Sequence, residues 1–148
     1  MSGAHAASGR LDGVEFLSAF DDRKQLADLY EAAALGQRTP DKIVEAFRNS
    51  KYAVFVVSGG RLIGAGRAFG DEVDCAVICD LAVQAGGYGA QILELLKQRV
   101  RHHQRIILYA KPGKEDFYLK RGFSRMTTAM LSSFVASAEH FRATGLIE

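Results

Sequence analysis

The run VQAGGYGAQIL, residues 83–93, places glycines directly before a predicted helix. Gly87 and Gly89 carry no Cβ, so a ligand can approach their backbone closely. The first N–H groups of a helix have no intrahelical partner and lie at the positive end of the helix dipole. Phosphate groups bind at such helix ends. The spacing of Gln84, Gly87 and Gly89 therefore predicts a binding site for a phosphorylated ligand.

Two common nucleotide-binding turns do not fit this stretch. The P-loop needs a Lys-Ser/Thr pair after its glycine, and no such pair follows Gly89. The dinucleotide fingerprint needs a third glycine, and this chain has Ile92 in its place. We therefore expect a phosphate-bearing ligand of another class.

A strand before the turn and a helix after it must position this site. Residues 72–83 are predicted to form a long strand whose side chains alternate between two faces. The expected faces are Val73, Cys75, Val77, Cys79, Leu81 and Val83 on one side, and Asp74, Ala76, Ile78, Asp80 and Ala82 on the other. From Ala90 a helix is predicted with a buried stripe of Ile92, Leu93, Leu96 and Val100. Residues 105–110 are the next predicted strand, which implies a parallel crossover.

The other elements are predicted from capping residues, glycines and β-branched or aromatic runs. Strands are expected at residues 13–20, in a hairpin over residues 52–69, and at residues 124–134. Helices are expected to begin after a cap at Asp21 or Asp22 and after Thr39, and two helices are expected to end at Gly36 and Gly122.

Composition excludes several classes of protein. The 148 residues are 48% hydrophobic and 24% charged, which is typical of a globular domain rather than a disordered or membrane-spanning chain. The net charge of +2 is too close to balance to predict general binding to nucleic acid. We expect residues 1–10 to be a flexible leader and residues 11–148 to form a single domain.

The cysteines and histidines predict no nucleophilic or metal chemistry. Cys75 and Cys79 lie about 13 Å apart on an extended strand, too far for a disulfide. Two buried thiols and no recognisable signal peptide favour a cytoplasmic location, and no metal site is expected. Cys79 lacks an obvious activating histidine, so a core thiol is the preferred interpretation. His102 and His103 fall at a predicted helix C-terminus, where they interact favourably with the dipole.

The motifs and the order of the predicted strands and helices along the chain resemble those of the GNAT family of acyl-coenzyme A-dependent N-acetyltransferases. Three stretches carry the resemblance: ICDLAV running into QAGGYGAQIL, RLIGAGRAF on the preceding strand, and DFYLKRGF, which is similar to the family's Phe-Tyr-x-x-x-Gly-Phe. The resemblance covers residues 52–126 well and the preceding helices loosely. It implies an α/β (mixed α+β) GNAT-like fold: a mostly antiparallel sheet with a parallel pair at the cofactor cleft, flanked by about four helices.

The resemblance also implies acetyl-coenzyme A as cosubstrate, without a metal. The residues that match the family's cofactor-binding positions are Leu81, Ala82, Val83, Gln84, Gly87, Tyr88, Gly89 and Ala90. Backbone N–H groups near Leu81–Val83 would polarise the thioester carbonyl. Tyr118 matches the tyrosine near the coenzyme sulfur and is assigned the role of general acid, with simple packing as the alternative.

Asp80 is the candidate for accepting the proton of the attacking amine, and a hydrogen-bonded structural carboxylate is the equal alternative. Tyr30, Arg67 and Phe69 are candidates for lining an acceptor pocket, with core packing preferred for the aromatic residues.

The leading function is therefore transfer of an acetyl group to a primary amine of a small or amino-acid-like acceptor by direct attack. Family members usually have several more residues between the strand and the signature, whereas Val83 here adjoins Gln84. That short interval favours the alternative, a non-catalytic acyl-coenzyme A-binding or regulatory domain. A generic interaction domain is a third hypothesis. No nucleic-acid or membrane partner is expected, and the resemblance suggests a homodimer.

Overall fold

The structure, a computed structural model, describes residues 10–11, 13–35, 38–84 and 88–148. These residues form six strands and five helices. In chain order they are β1 (Arg10–Leu11), β2 (Val14–Leu17), α1 (Arg23–Ala32), α2 (Pro40–Arg48), β3 (Tyr52–Ser58), β4 (Arg61–Gly70), β5 (Cys75–Val83), α3 (Gly89–Arg99), β6 (Arg105–Ile107), α4 (Glu115–Leu119) and α5 (Ala138–Ala143). None of these helices has the length and apolar character needed to cross a bilayer.

The chain divides into two compact units, the first ending at Leu108 and the second spanning Tyr109–Glu148. All six strands belong to the first unit. The predicted leader lies, apart from Arg10, outside the described residues. The expectation of one domain over residues 11–148 stays a prediction.

The sheet confirms the predicted mixed topology. Its strands are hydrogen-bonded in the order β1-β2-β3-β4-β5-β6. Every neighbouring pair is antiparallel except β5 and β6, which are parallel and joined through α3. Gly59 and Gly60 form the predicted hairpin turn between β3 and β4, with φ of 56° and 76° that favour glycine at both positions.

A β-bulge in β5 overturns the predicted alternation of its side chains. Arg67 pairs with Cys79 and Ala65 with Ala82, so three steps on β5 oppose two on β4. Asp80 takes a left-handed conformation, with φ of 53°, at this extra residue. One additional residue moves every following side chain of β5 to the opposite face of the sheet from the one predicted.

The corrected faces follow from the register. Leu81 lies beside Gly66 and Val83 lies beside Gly64, and both glycines face Ile92 of α3. Leu81 and Val83 therefore lie on the same side as Ile78, the side that packs on α3. Ala82 instead lies on the opposite side, in the core beneath α1 and α2. The prediction of one apolar and one mixed face over residues 72–83 was therefore wrong beyond Cys79.

Helices α1 and α2 cover one face of the sheet, and their predicted caps are confirmed. The side chain of Asp22 accepts a hydrogen bond from the Gln25 N–H at 3.2 Å, and that of Thr39 accepts one from the Lys42 N–H at 3.4 Å. The buried residues of this core are Leu26, Leu29, Tyr30, Ile43, Phe47, Phe55, Leu62, Ala65 and Ala82. Helix α1 ends at Ala32, and the predicted stop at Gly36 lies outside the described residues.

Helix α3 covers the other face with the predicted stripe. Ile92, Leu93, Leu96 and Val100 are fully buried. They rest on a strip of β4 that lacks side chains, since a Cβ on Gly66 would lie 2.8 Å from Cγ2 of Ile92. The glycines of GAGR on β4 therefore allow α3 to pack closely on the sheet.

The second unit departs from prediction in two places. Residues 124–134 are all described and contain no strand, so the predicted last strand is wrong. Their apolar side chains recur irregularly rather than at every second position, and Met130 and Phe134 are almost fully exposed. Helix α5 was not predicted, although Ser137 accepts a hydrogen bond from the His140 N–H as a helix cap does.

Candidate functional site

The N-terminus of α3 lies at the end of β5, as the glycine turn predicted. Its cap residue, Tyr88, makes no side-chain capping bond, and no acidic residue occupies the first turn of the helix. By contrast, side chains of Asp22, Thr39 and Ser137 cap α1, α2 and α5. Among the described residues, the first N–H groups of α3 therefore face no competing side-chain acceptor and can receive an anion.

The structure locates four of the five residues predicted for this turn. The Gln84 N–H donates to the Ile63 carbonyl at 3.1 Å and continues the β4–β5 contact. The Tyr88 ring packs edge-on against Phe16 with 5.8 Å between centroids. Gly89 is buried and Ala90 is half-buried in the first turn of α3. Gly87 lies outside the described residues.

Beside this helix end, one edge of β5 is open. The β5–β6 ladder ends at the pair Val77 and Ile107, while β5 continues to Val83. Within the described part of the chain, residues 78–83 have a partner strand only on the β4 side. The predicted residues Leu81, Ala82 and Val83 lie on this stretch, so their outer backbone groups can pair with an extended ligand.

On the α1–α2 side of the sheet, Asp80 forms ion pairs with two arginines. Arg67 Nε lies 2.8 Å from Asp80 Oδ2, and Arg38 makes a two-point contact at 2.8 and 3.1 Å. Arg67 also donates to the Ser50 hydroxyl at 3.1 Å. Burial would raise the pKa of Asp80, but hydrogen bonds from Arg38 and the charge of Arg67 outweigh it and lower that pKa below 3.8.

Two further side chains belong to this Asp80 cluster. The Tyr30 hydroxyl is buried and has no hydrogen-bond partner among the described residues, while Arg38 lies over its ring at 5.6 Å. Burial, followed by the charge of Asp80, raises the pKa of Tyr30. Burial likewise raises the pKa of the Cys79 thiol, which is free and half-buried. A neutral Cys79 fits the interpretation of a packed thiol rather than a nucleophile.

Tyr118 lies on α4 in the second unit. Its ring contacts Phe117 and Phe123 edge-on, at 5.1 and 5.9 Å between centroids. Burial raises the pKa of the Tyr118 phenol above 10.0. The group is therefore protonated at neutral pH, as a general acid must be.

The predicted turn residues, strand edge and Asp80 all lie in the first unit. Sequence reasoning missed Arg38 as a partner of Asp80. The two residues are 42 positions apart, and Arg38 stands among polar residues before the α2 cap, so no local pattern singles it out.

Comparisons with known proteins agree with the fold described above. Residues 18–134 match the family model described as an acetyltransferase (GNAT) domain. An uncharacterized N-acetyltransferase ycf52-like protein of Prochlorococcus marinus is 29% identical over 113 residues, which cover 70% of this chain. The aligned region spans 63% of that relative's length.

Solved structures show the same fold. A protein of unknown function from Staphylococcus aureus superposes with a TM-score of 0.72 at 21% identity, covering 84% of this chain and 99% of the other. N-acetylglutamate synthase from Neisseria gonorrhoeae, in complex with coenzyme A and N-acetylglutamate, superposes with a TM-score of 0.63 at 20% identity, covering 78% of this chain and 29% of the other. The resemblance inferred from the motifs is confirmed, and the chain belongs to the GNAT family of acetyltransferases.

Proposed function

We propose that this chain transfers an acetyl group from acetyl-coenzyme A to the primary amine of a small or amino-acid-like acceptor. The observation that carries the proposal is the uncapped N-terminus of α3 beside the open edge of β5. A pyrophosphate would occupy the helix end, through the N–H groups around Gly89 and Ala90. The amide groups of the pantetheine arm would pair with the free backbone of residues 78–83.

The chemistry proposed is direct attack of the amine on the thioester carbonyl. Backbone N–H groups of Leu81–Val83 would stabilise the negative charge that develops on the carbonyl oxygen. As the carbon–sulfur bond breaks, the Tyr118 phenol would give its proton to the departing thiolate. The amine loses a proton in the same transfer, so a proton acceptor is also required.

Asp80 has two candidate roles, general base and structural carboxylate, and its ion pairs favour the structural one. A carboxylate held by two guanidinium groups is a weak proton acceptor, since protonation would break both contacts. We propose that Asp80 orients Arg38 and Arg67 at the bulge, while water accepts the amine proton. Its role as general base stays the rival prediction.

The same cluster supports an acceptor that carries a carboxylate beside its amine. The charges of Arg38 and Arg67 together exceed the single negative charge of Asp80 on the α1–α2 side of the sheet, where Tyr30 offers a hydroxyl. Amino acids compared with their decarboxylated amines test this: we expect at least about tenfold higher kcat/KM for the amino acid. Arg67→Met should remove that preference, and equal values in the unaltered protein would contradict it.

Calorimetric titration with acetyl-coenzyme A tests the cofactor site, with desulfo-coenzyme A and ATP as control ligands. Ala90→Glu places a negative charge at the helix end, where it is compatible with helix stability but repels a phosphate. We expect it to weaken binding by at least about tenfold. The matched control, Gln98→Glu, adds the same charge in the last turn of α3 and should bind normally.

A non-catalytic acyl-coenzyme A-binding domain is the second candidate, favoured by the short interval between Val83 and the glycine turn. Binding of acetyl-coenzyme A without turnover of any amine would select it. Absence of binding would reject both candidates.

We further propose that the chain associates as a homodimer and functions in the cytoplasm. Large apolar side chains between Met126 and Val135 are exposed in the second unit, which supports association. Both cysteines are free, which supports a reducing compartment.

A further inference from the structure

A second group of chemically active side chains lies at the opposite end of β5 from the glycine turn. Glu72 belongs to the connection between β4 and β5, and His102 and His103 lie just beyond the end of α3 at Arg99. One donor atom from each of the three residues lies within 4.8 Å of the others. None of them belongs to the acetyl-transfer site described above.

His103 is held in the form that can act as a ligand. Its Nδ1 lies 2.9 Å from the Val100 carbonyl oxygen, which can only accept a hydrogen bond. The proton is therefore assigned to Nδ1, and Nε2 keeps its lone pair. Metal-binding histidines are typically oriented through such a bond from the other ring nitrogen. The side chain is fully buried, and Nε2 faces Glu72.

The β4–β5 connection brings Glu72 unusually close to this ring. A Cβ on Gly70 would lie 2.7 Å from His103 Nε2, so only glycine allows the approach. Glu72 itself has a φ of 69°, a conformation that costs energy in a residue with a side chain. Asp71 Oδ1 accepts the N–H groups of Val73, Asp74 and Cys75, which holds the connection in this shape.

The two carboxylate oxygens of Glu72 have different surroundings. Oε2 accepts hydrogen bonds from Lys51 Nζ and the Tyr52 hydroxyl, and lies 3.3 Å from His102 Nε2. Oε1 is buried, lies 3.9 Å from His103 Nε2, and has no hydrogen-bond partner in the part of the chain that is described. A buried oxygen without a donor is unfavourable, and a cation would supply the missing interaction.

We propose that Glu72, His102 and His103 bind a divalent transition-metal ion, with zinc as the test ion. Two imidazoles and one carboxylate form a known zinc donor set that leaves a fourth position open. Zinc bonds of about 2 Å require the three donor atoms to close to about 3.4 Å from one another. His103 Nε2 would exchange its present hydrogen bond from the Glu72 N–H for the ion.

Such an ion would join the C-terminal end of α3 to the β4–β5 connection. Lys51 competes for the same carboxylate, but its side chain is 61% exposed and can turn into solvent. Because of this competing positive charge we expect a Kd in the micromolar range, weaker than that of structural zinc sites. Metal binding should raise the melting temperature, since only the folded chain presents all three ligands.

The experiment uses the full chain, freed of metal with a chelator that is then removed. Zinc is titrated by competition with a chromophoric chelator, and Co²⁺ absorption reports the ligands. We expect one equivalent to bind, and Glu72→Gln and His102→Asn each to weaken binding by at least about tenfold. Lys51→Gln should tighten it, because the competing cation is gone. His140→Asn, a histidine of α5, is the matched control and should bind as the unaltered chain does.

Three results would overturn the proposal. The first is zinc binding weaker than about 1 mM in the unaltered chain. The second is unchanged affinity in His102→Asn. The third is a cobalt spectrum with intense thiolate charge-transfer bands, which would assign the ion to Cys75 or Cys79. His103 is not substituted because its full burial makes loss of folding the expected result.

Discussion

At the scale of single residues, Tyr118 carries the proposed proton transfer. Removing its hydroxyl in Tyr118→Phe should lower kcat by roughly 100-fold, because the thiolate then departs unprotonated. Affinity for acetyl-coenzyme A should change little. Since burial raises the pKa of this phenol, the alkaline decline of turnover in the unaltered chain should be centred at a higher pH than the ordinary pKa of tyrosine.

The matched control is Tyr109→Phe, a mostly exposed tyrosine of the same unit. Steady-state kinetics measures kcat, and calorimetry measures cofactor affinity. Unchanged turnover in Tyr118→Phe would show that Tyr118 is not the general acid and that its ring only packs against Phe117 and Phe123.

Asp80 is expected to contribute to stability in a pH-dependent way. Its pKa is lowered in the folded state, so its ion pairs stabilise the protein above the unfolded pKa, near 3.8. That contribution should be lost as the pH falls from about 4 through the lower folded pKa. Asp80→Asn should cost about 2–3 kcal/mol at pH 7, because Arg67 is then buried without its partner, and should flatten the acid decline.

Urea unfolding between pH 2 and 7 measures this. Asp28→Asn, which removes an exposed carboxylate paired with Lys24, is the control and should leave the acid decline unchanged. An equally steep decline in Asp80→Asn would show that other carboxylates govern acid unfolding. A general-base role for Asp80 would instead appear as a loss of kcat far larger than any change in stability explains.

At the scale of elements, the packing of α3 on β4 depends on glycine. An alanine Cβ at Gly66 would lie 2.8 Å from Ile92 Cγ2 and 3.0 Å from Leu96 Cδ1, and both side chains are fully buried. Gly66→Ala should therefore destabilise the fold by about 1–3 kcal/mol. Gly64→Ala meets the Cδ1 end of Ile92, which can rotate away, and should cost less. Urea unfolding ranks the two variants, and equal stabilities would mean that α3 shifts to accept either methyl group.

The bulge in β5 shows why an element can be predicted while its faces cannot. The apolar run and its flanks predict a strand ending at Val83, and the strand ends there. No residue in ICDLAV predicts that Asp80 adopts a positive φ, because aspartate tolerates that conformation without requiring it. The bulge is stabilised by Arg67 of β4 and by Arg38, which precedes the cap of α2, and the periodicity of a strand contains no information about either contact.

Across the molecule, the features that depend on a few neighbouring residues could be predicted from the sequence. The caps at Asp22 and Thr39, the Gly59–Gly60 hairpin and the α3 stripe were all predicted from neighbouring residues. The glycine turn likewise predicted the N-terminus of α3. Contacts between distant residues were not predictable: Arg38 meets Asp80 across 42 positions, and Glu72 meets His102 across 30. The proposed metal site depends on the second of these pairs, and the expectation that no metal site exists stays a prediction.

The proposed homodimer is a prediction about how one molecule associates with another, and it concerns the exposed apolar side chains of the second unit. Met130, Phe134 and Val135 are each at least 95% exposed, an arrangement that is unfavourable in water unless another surface covers it. We expect Phe134→Ser combined with Val135→Ser to raise the dimer dissociation constant by at least about tenfold, measured by sedimentation velocity. Tyr109→Ser, which also removes an exposed large side chain from this unit, should leave association unchanged. An unaltered chain that sediments as a monomer, or a double variant that dimerises normally, would contradict the proposal that the exposed side chains between Met126 and Val135 form the dimer contact.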